Sequence, residues 1–365
     1  MAIVTHSSAA VLADLARAGI LEDVAKICYA NDESIWQWRK LDGTLLASMR
    51  WAAVADEKNP RLYKPYSLQC GQHLLAKILT EHCAKFSTTQ VLFGHSLVDL
   101  EQNGHGVELT VAKTNGDIIK INAGWVVGAD GGKSKTRKLI GLSLDGFTWE
   151  EEIFVACNVH YPFDKHGFGE ANFHIGGMYW AITGRCGPEG DPWRVAYGIK
   201  PGMTDEWVRK NAEERVKAIL PGPEPFKIVQ AAQYRVHQRQ VKTYKVGRVV
   251  LAGDAAHLNN PIGGFGLTTG MTDAGCIAEA LGHVINETKP ESFLQAACDM
   301  RWRIFRDISN PGSQRFKAIV QQDPDNISEE DLDFFRKLRE DATFQKESLL
   351  RTLALYTPVE DIEGY

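Results

Sequence analysis

The sequence predicts an α/β protein with an inserted β-sheet domain and a helical C-terminus. Three observations carry this. Helical and strand periodicities alternate over residues 1–146, residues 147–237 turn aromatic and β-leaning, and from Glu291 onward polar helix-forming segments dominate. At 365 residues and 44% hydrophobic, the chain can bury a sizeable core, as two domains or one composite domain.

In chain order, "SAAVLADLARAGILEDVAKICYA" (8–30) sets Val11, Leu12, Leu15, Ile20, Leu21, Val24 and Ile27 at mostly helical spacing, and Gly19 divides it into two short helices. Residues 31–66, rich in Trp and Pro, read as irregular. A helix is expected from about Gly71, with Leu74, Leu75, Ile78 and Leu79 facing inward. Three strand-like runs follow: "QVLFGHSLVDLEQ", "GVELTVAKT" and "DIIKINAGWVVGAD". The last two are joined by Asn115-Gly116, a hairpin signal. Segments such as "IFVACNVHYPF", "MYWAITGRC" and "WRVAYGI" form the inserted sheet, and "DEWVRKNAEERVKAIL" is a helix ended by "PGPEP". After the buried strand "RVVLAGD" comes a helix from about Leu267 to Ile285, and "SEEDLDFFRKLRED" opens with a capping box of Ser328 and Asp331. The expected division is 1–146, 147–237, 238–290 and 291–365.

Net charge is -5 with dispersed Lys and Arg, which excludes a broad basic surface for nucleic acid. Seven scattered cysteines without a CxxC pair argue against a disulfide framework and a thiolate zinc site, and they fit a reducing, cytoplasmic setting. No apolar stretch approaches the ~18 residues of a membrane span, and the start "MAIVTHSSAAVLADLARAG" has no basic n-region ahead of an apolar core. HExxH-type spacing and a GxSxG elbow are absent, so metal catalysis and hydrolysis by that device lack support.

Two glycine-rich segments carry the chemistry. In "VVGADGGKSKTRKLIGL" (126–142) a strand enters a tight turn around Asp130 and Gly131, and Ser134 with Arg137 opens a short helix; a plain strand–turn–helix connection would use the same residue types. In "GDAAHLNNPIGGFGLTTG" (253–270) Asp254 sits at the carboxyl end of a strand, where open α/β sheets place ligands. A loop with little side-chain bulk then leads to a helix whose amino end suits an anion or an electron-rich ring. Gly264, Gly266 and Gly270 imitate a GxGxxG fingerprint, but the last glycine comes one place late and no strand precedes them.

Taken in this order, "GADGGKSKTR" (128–137) and "GRVVLAGDAAHLNNPIGGFGLTTGMTDAG" (247–275) resemble the second and third flavin motifs of the FAD-dependent aromatic hydroxylases of the para-hydroxybenzoate hydroxylase type. "YSLQCGQHLLAKIL" (66–79) is similar to the helix that touches the flavin's linking chain, and "WRVAYG" (193–198) to a strand of the substrate sheet. The similarity covers about residues 8–300, most closely fungal members of secondary metabolism or phenol breakdown. The family's opening strand–GxGxxG–helix–strand unit, which holds the AMP half of FAD, is not among these residues, so a Rossmann-type domain shortened at its N-terminus is expected.

The resemblance implies an FAD-dependent monooxygenase that uses NADPH or NADH and dioxygen to hydroxylate a small phenolic, aromatic or enolic molecule. Its alternatives are a flavoprotein homologue without activity and an NAD(P)-dependent oxidoreductase. It implies that Asp254 bonds the ribityl chain, that the backbone of Gly264, Gly266, Leu267 and Thr268 faces the ring edge, and that Asp130 lies near the phosphates with Arg137 bracing its loop. Gln72 would stand against FAD, and Thr268 replaces a common Asn. Phe173, Tyr179, Trp180, Trp193 and Tyr197 are candidates for the apolar cover. Tyr179, Arg185, Arg194 and Tyr197 are the candidate catalytic residues, with His174, His237 and Arg239 also available. His257 is expected to pack and hydrogen-bond within its loop. No nucleic acid, metal or membrane span is expected, and a homodimer is possible.

Overall fold

A computed structural model of the chain describes residues 4–7, 9–30, 35–54, 67–362 and 364. Contacts divide it into two compact units: residues 1–79, 149–236 and 313–354, and residues 80–148, 237–312 and 355–365. The expected first domain, 1–146, is therefore split, and its first part joins the inserted sheet.

The strands of the first unit explain why. Its main sheet runs in the order Lys227–Gln240, Asp145–His160, Trp193–Ile199, Ala181–Arg185, Ala171–Ile175, Ile35–Lys40 and Leu45–Arg50. Ile35–Lys40 lies parallel to Ala171–Ile175, and the hairpin it forms with Leu45–Arg50 extends the sheet. Residues 35–50 are thus strands where the sequence reads as irregular. "IWQWRK" hides its period because Trp36, Gln37, Trp38 and Arg39 are all buried, so no polar face alternates with an apolar one. Trp51–Val54 follows as a 3-10 turn, and 31–34 and 55–66 lie outside the described residues.

Strand alternation gives this sheet two different faces. On one, Val155, Cys157, Val159, Trp193, Val195 and Tyr197 pack on Val208, Ala212 and Val216 of the helix Asp205–Lys217. That helix starts where Thr204 accepts the Trp207 N–H. On the other, Trp38 stacks on Phe173 at 5.4 Å and meets Phe334 edge-on at 5.7 Å. Phe334 belongs to the helix Glu329–Glu340, whose cap departs from a reciprocal box. Ser328 Oγ accepts the Asp331 N–H, but the Ser328 N–H donates to Gln322 instead. A smaller sheet, Val4–Ser7, Leu68–Gly71 and Tyr29–Ala30, accompanies the helices Ala9–Arg17 and Leu21–Ala25, which are separated by Gly19 at φ +70°.

In the second unit, His95–Gln102, Val107–Lys113 and Ile118–Ala123 form an antiparallel meander, with Gly116 at φ +93° in the expected Asn-Gly turn. The run "DIIKINAGWVVGAD" divides at Gly124 into strands of two sheets. Its second half, Val126–Gly128, pairs in parallel with Val249–Leu251. The helices Phe265–Ile285 and Glu291–Ile304 close the core over Val250, Leu251, Ala255 and Ala256. Beyond Ile304 the helix widens to π over Phe305–Ser309 before Asn310–Val320. Pro311 accounts for this, since it has no N–H to continue the ladder. Among the described residues no helix is long and apolar enough to cross a membrane.

Candidate functional site

The 249–270 segment is built from a fully buried strand that stops at a turn only glycine adopts easily. Gly253 has φ +59° and opens a single 3-10 turn, Gly253–Ala255, which lifts Asp254 out of the core. The Asp254 carboxylate is solvent-exposed and makes no hydrogen bond with any described residue. Surrounding protein nonetheless pushes its pKa above the usual carboxylate value by desolvation, opposed by nearby His257. Exposure together with desolvation marks a carboxylate set in a recess.

Gly264 caps the helix Phe265–Ile285 at φ +70° with no side-chain hydrogen bond, so no capping side chain covers the helix's positive end. Thr268 is buried and its hydroxyl donates to Gly264 O at 3.1 Å. Its side chain is therefore spent on the helix. Gly270 is required by approach: a Cβ there would stand 3.2 Å from the Gly253 Cα.

Beneath the turn lies a network the sequence did not single out. Asp273, fully buried on the helix, accepts the Gly253 N–H at 3.1 Å, pairs with His257 Nε2 at 2.7 Å and with Arg301 Nε at 2.8 Å. Arg301 also donates to Leu355 O, Thr357 Oγ1 and Thr272 Oγ1. Burial alone would raise the Asp273 pKa, but Arg301 and His257 hold it below the usual value. His257 stacks on Phe305 at 4.3 Å, which the π turn seats there. His257 is packed and hydrogen-bonded, but to Asp273, Tyr244 and Phe305 on other elements rather than within its own loop as expected. An Asp inside the apolar run "MTDAGCIAEALG" is the signal that marks Asp273.

In the 128–137 segment, Asp130 is consumed by its own turn. One carboxylate oxygen accepts from Ser134 Oγ, the other from the N–H groups of Lys135 and Thr136 at 2.8 and 3.0 Å and from Thr136 Oγ1. The hydroxyl and amide donors outweigh desolvation and lower its pKa. Ser134 caps the helix Lys135–Leu139. Arg137 braces the two motifs together, donating to Gly132 O at 2.8 Å and to Ala255 O at 3.0 Å. Gln72, in the other unit, is the first residue of the helix Gln72–Cys83, and its amide bonds to no described residue.

Register sorts the sheet candidates. Trp193 and Tyr197 face the helix Asp205–Lys217, where Tyr197 meets the Cys157 thiol and the Arg215 guanidinium. Arg185 is buried, donating to Gly187 O and lying over Tyr29 at 4.0 Å. Tyr179 is 56% exposed beneath Arg215, and Trp180 donates to Glu152. His237 contacts Thr148 Oγ1, and Arg239 donates to the same hydroxyl. Arg194 differs from all of these. It points to the opposite face from Tyr197, cross-strand from Asn158, and both its Nε and its Nη2 are buried with no hydrogen-bond partner among the described residues, where Arg239 leaves only its Nε so. Asn158 Oδ1 is likewise unmet. Tyr234, whose ring meets Phe154 on this face, has its hydroxyl pKa pushed up to about 12 by burial, with Arg194 acting in the other direction. Asn158 and Tyr234 were not visible as candidates, because only register and packing bring them to Arg194.

A flavin fits what the second unit offers: an unpartnered acid at a strand end, a glycine-lined approach and an uncapped helix terminus. Comparison with known proteins agrees. Residues 15–309 match the family described as "FAD binding domain". The chain is 32% identical over 338 residues to the para-nitrophenol 4-monooxygenase of Pseudomonas sp. strain WBC-3, covering 92% of this chain and 79% of that protein. It is 30% identical over 317 residues to the 6-hydroxy-3-succinoylpyridine 3-monooxygenase of Pseudomonas putida strain DSM 28022 / S16, covering 86% and 78%. The crystal structure of p-nitrophenol 4-monooxygenase PnpA from Pseudomonas putida DLL-E4 superposes with a TM-score of 0.89 at 32% identity, over 97% of this chain and 88% of that one. The chain belongs to this FAD-binding family and is an FAD-dependent aromatic monooxygenase.

Proposed function

We propose that the enzyme acts on a small phenol held by Arg194, Asn158 and Tyr234, and that it oxygenates the ring carbon para to the hydroxyl. The Arg194 guanidinium carries the reading. Buried donors left unmet cost free energy, and a phenolate supplies both the counter-charge and the acceptor. The cation in turn favours the ionised phenol, the electron-rich form that an electrophilic oxygen attacks.

The position follows from the relatives' names. Position 4 of para-nitrophenol, and position 3 of a pyridine with its hydroxyl at 6, are both the substituted carbon para to the hydroxyl. Carried to this chain, a C–O bond forms at that carbon and the bond to the substituent breaks. The substituent leaves with the electron pair, as nitrite from para-nitrophenol. The ring becomes a quinone, and one NAD(P)H and one dioxygen are consumed, the second oxygen atom ending as water. FAD, when bound, would supply the redox chemistry between NAD(P)H and dioxygen. The chain's own part is to hold the cofactor through Asp254 and the backbone from Gly264 to Thr268, with the Asp130 turn as a further contact, and to keep water from the reacting ring. None of the seven cysteines is in a disulfide among the described residues, which supports a reducing, cytoplasmic setting.

The test supplies FAD-loaded protein with NAD(P)H and para-nitrophenol. Nitrite should appear as NAD(P)H is consumed, and Arg194→Met should raise KM about tenfold or more with FAD content unchanged. Unchanged KM in the variant would refute the role given to Arg194.

A further inference from the structure

The first unit contains a cavity of about 380 Å³ that the flavin and substrate readings leave unused. It opens on the Tyr197 side of the main sheet, away from Arg194, between the hairpin of Ile35–Lys40 and Leu45–Arg50 and the segment that follows the helix Asp205–Lys217. Its size falls in the range of small-molecule sites.

Arg39 is its buried cation. The guanidinium donates only to neutral oxygens, Gln37 Oε1 at 2.9 Å, Gly43 O at 2.9 Å and Gly167 O at 2.6 Å, and lies 4.6 Å over the Phe168 ring. No carboxylate among the described residues pairs with it, and burial lowers its pKa. His174, its neighbour in the sheet register, is fully buried and bonded to Thr183 Oγ1 at 3.2 Å; desolvation, then the Arg39 charge, drops its pKa to about 3. His174 is therefore neutral and supplies no counter-charge. His166 also lines the cavity, but its Nε2 is engaged by Tyr161 and Glu224, each at 3.1 Å. Asp42 stands exposed at the rim, held by the Thr44 N–H and offset by Lys40. Leu41, Phe168, Ile219 and Leu220 supply an apolar wall.

A buried cation with no counter-ion, facing an apolar-walled cavity, calls for an organic anion. We propose that this cavity binds a small aromatic carboxylate, with the carboxylate against Arg39 and the ring against the Phe168–Leu220 wall. It is a second ligand site, independent of the one that holds the reacting phenol.

The probe is benzoate, titrated calorimetrically into FAD-loaded protein already saturated with para-nitrophenol, with benzamide as the uncharged control. One benzoate should still bind, and benzamide should bind at least about tenfold more weakly. Leu220→Trp, which fills the cavity without touching the cation, should abolish that binding, as should Arg39→Gln, whereas Arg194→Met should leave it intact. No benzoate binding in the presence of para-nitrophenol, or equal binding to the Leu220→Trp variant, would overturn the proposal. Loss in Arg194→Met would overturn it too, by assigning the benzoate to the phenol site.

Discussion

Asp254 and His174 show how one residue's surroundings set its use. Asp254 is raised in pKa by desolvation and has no hydrogen-bond partner among the described residues, so it costs the apoprotein stability that it returns on binding. Asp254→Asn should raise the apoprotein's melting temperature by about 1–3 °C. Asp254→Ala should weaken FAD by about ten- to hundredfold, read by quenching of flavin fluorescence. His174 works in the opposite sense to a salt-bridged histidine. Its folded pKa of about 3 lies below the unfolded value of 6.5, so the fold resists its protonation, and stability falls as pH drops below 6.5. The loss approaches about 1.4 kcal/mol per pH step until pH nears the folded value. His174→Asn should flatten the denaturant midpoint between pH 6 and pH 4, and an unchanged slope would remove His174 from the acid response. At this scale Asp254 and the glycines were legible, because a strand ending on Asp before a glycine loop is a local pattern. Arg194 stood level with Arg185 and Tyr197 because spacing says nothing of register; alternation already separates 194 from 197, but which face meets a helix is decided by Val208, Ala212 and Val216.

The helix Phe265–Ile285 acts as an element in two ways, presenting its uncapped amino end and anchoring the Asp254 turn through Asp273. Gly270→Val should push the helix off Gly253 and lower FAD affinity more than it lowers helix content, comparing cofactor titration with circular dichroism. Asp273→Ala leaves Arg301 buried without its carboxylate and should cost about 3–5 kcal/mol in chemical denaturation. Because the Asp273 pKa is depressed, the stability it lends is present above its unfolded value of 3.8 and is lost as pH falls below it. Helices and hairpins with clear caps and turns, such as Asp205–Lys217 and the Asn115-Gly116 turn, were readable from sequence. Ile35–Lys40 was not, since both of its faces are buried and its partner, Ala171–Ile175, lies far along the chain.

For the whole molecule, FAD is a ligand of the folded state, so it should stabilise the protein by about 2.7 kcal/mol at a hundred times its Kd, and at the same FAD concentration the gain should fall to about 0.4–1.4 kcal/mol in Asp254→Ala if both effects arise at one site. The family, the cofactor and the reaction class were legible because two motifs recur in fixed order. The grouping of residues 1–79 with the sheet was not, because strand order is a non-local property. The most direct measurement supplies the FAD-loaded enzyme with NAD(P)H, para-nitrophenol and isotopically heavy dioxygen. The account predicts one heavy oxygen atom in the ring product for each nitrite released. NAD(P)H oxidation that returns all the heavy oxygen as hydrogen peroxide, with no label in any ring product, would contradict it.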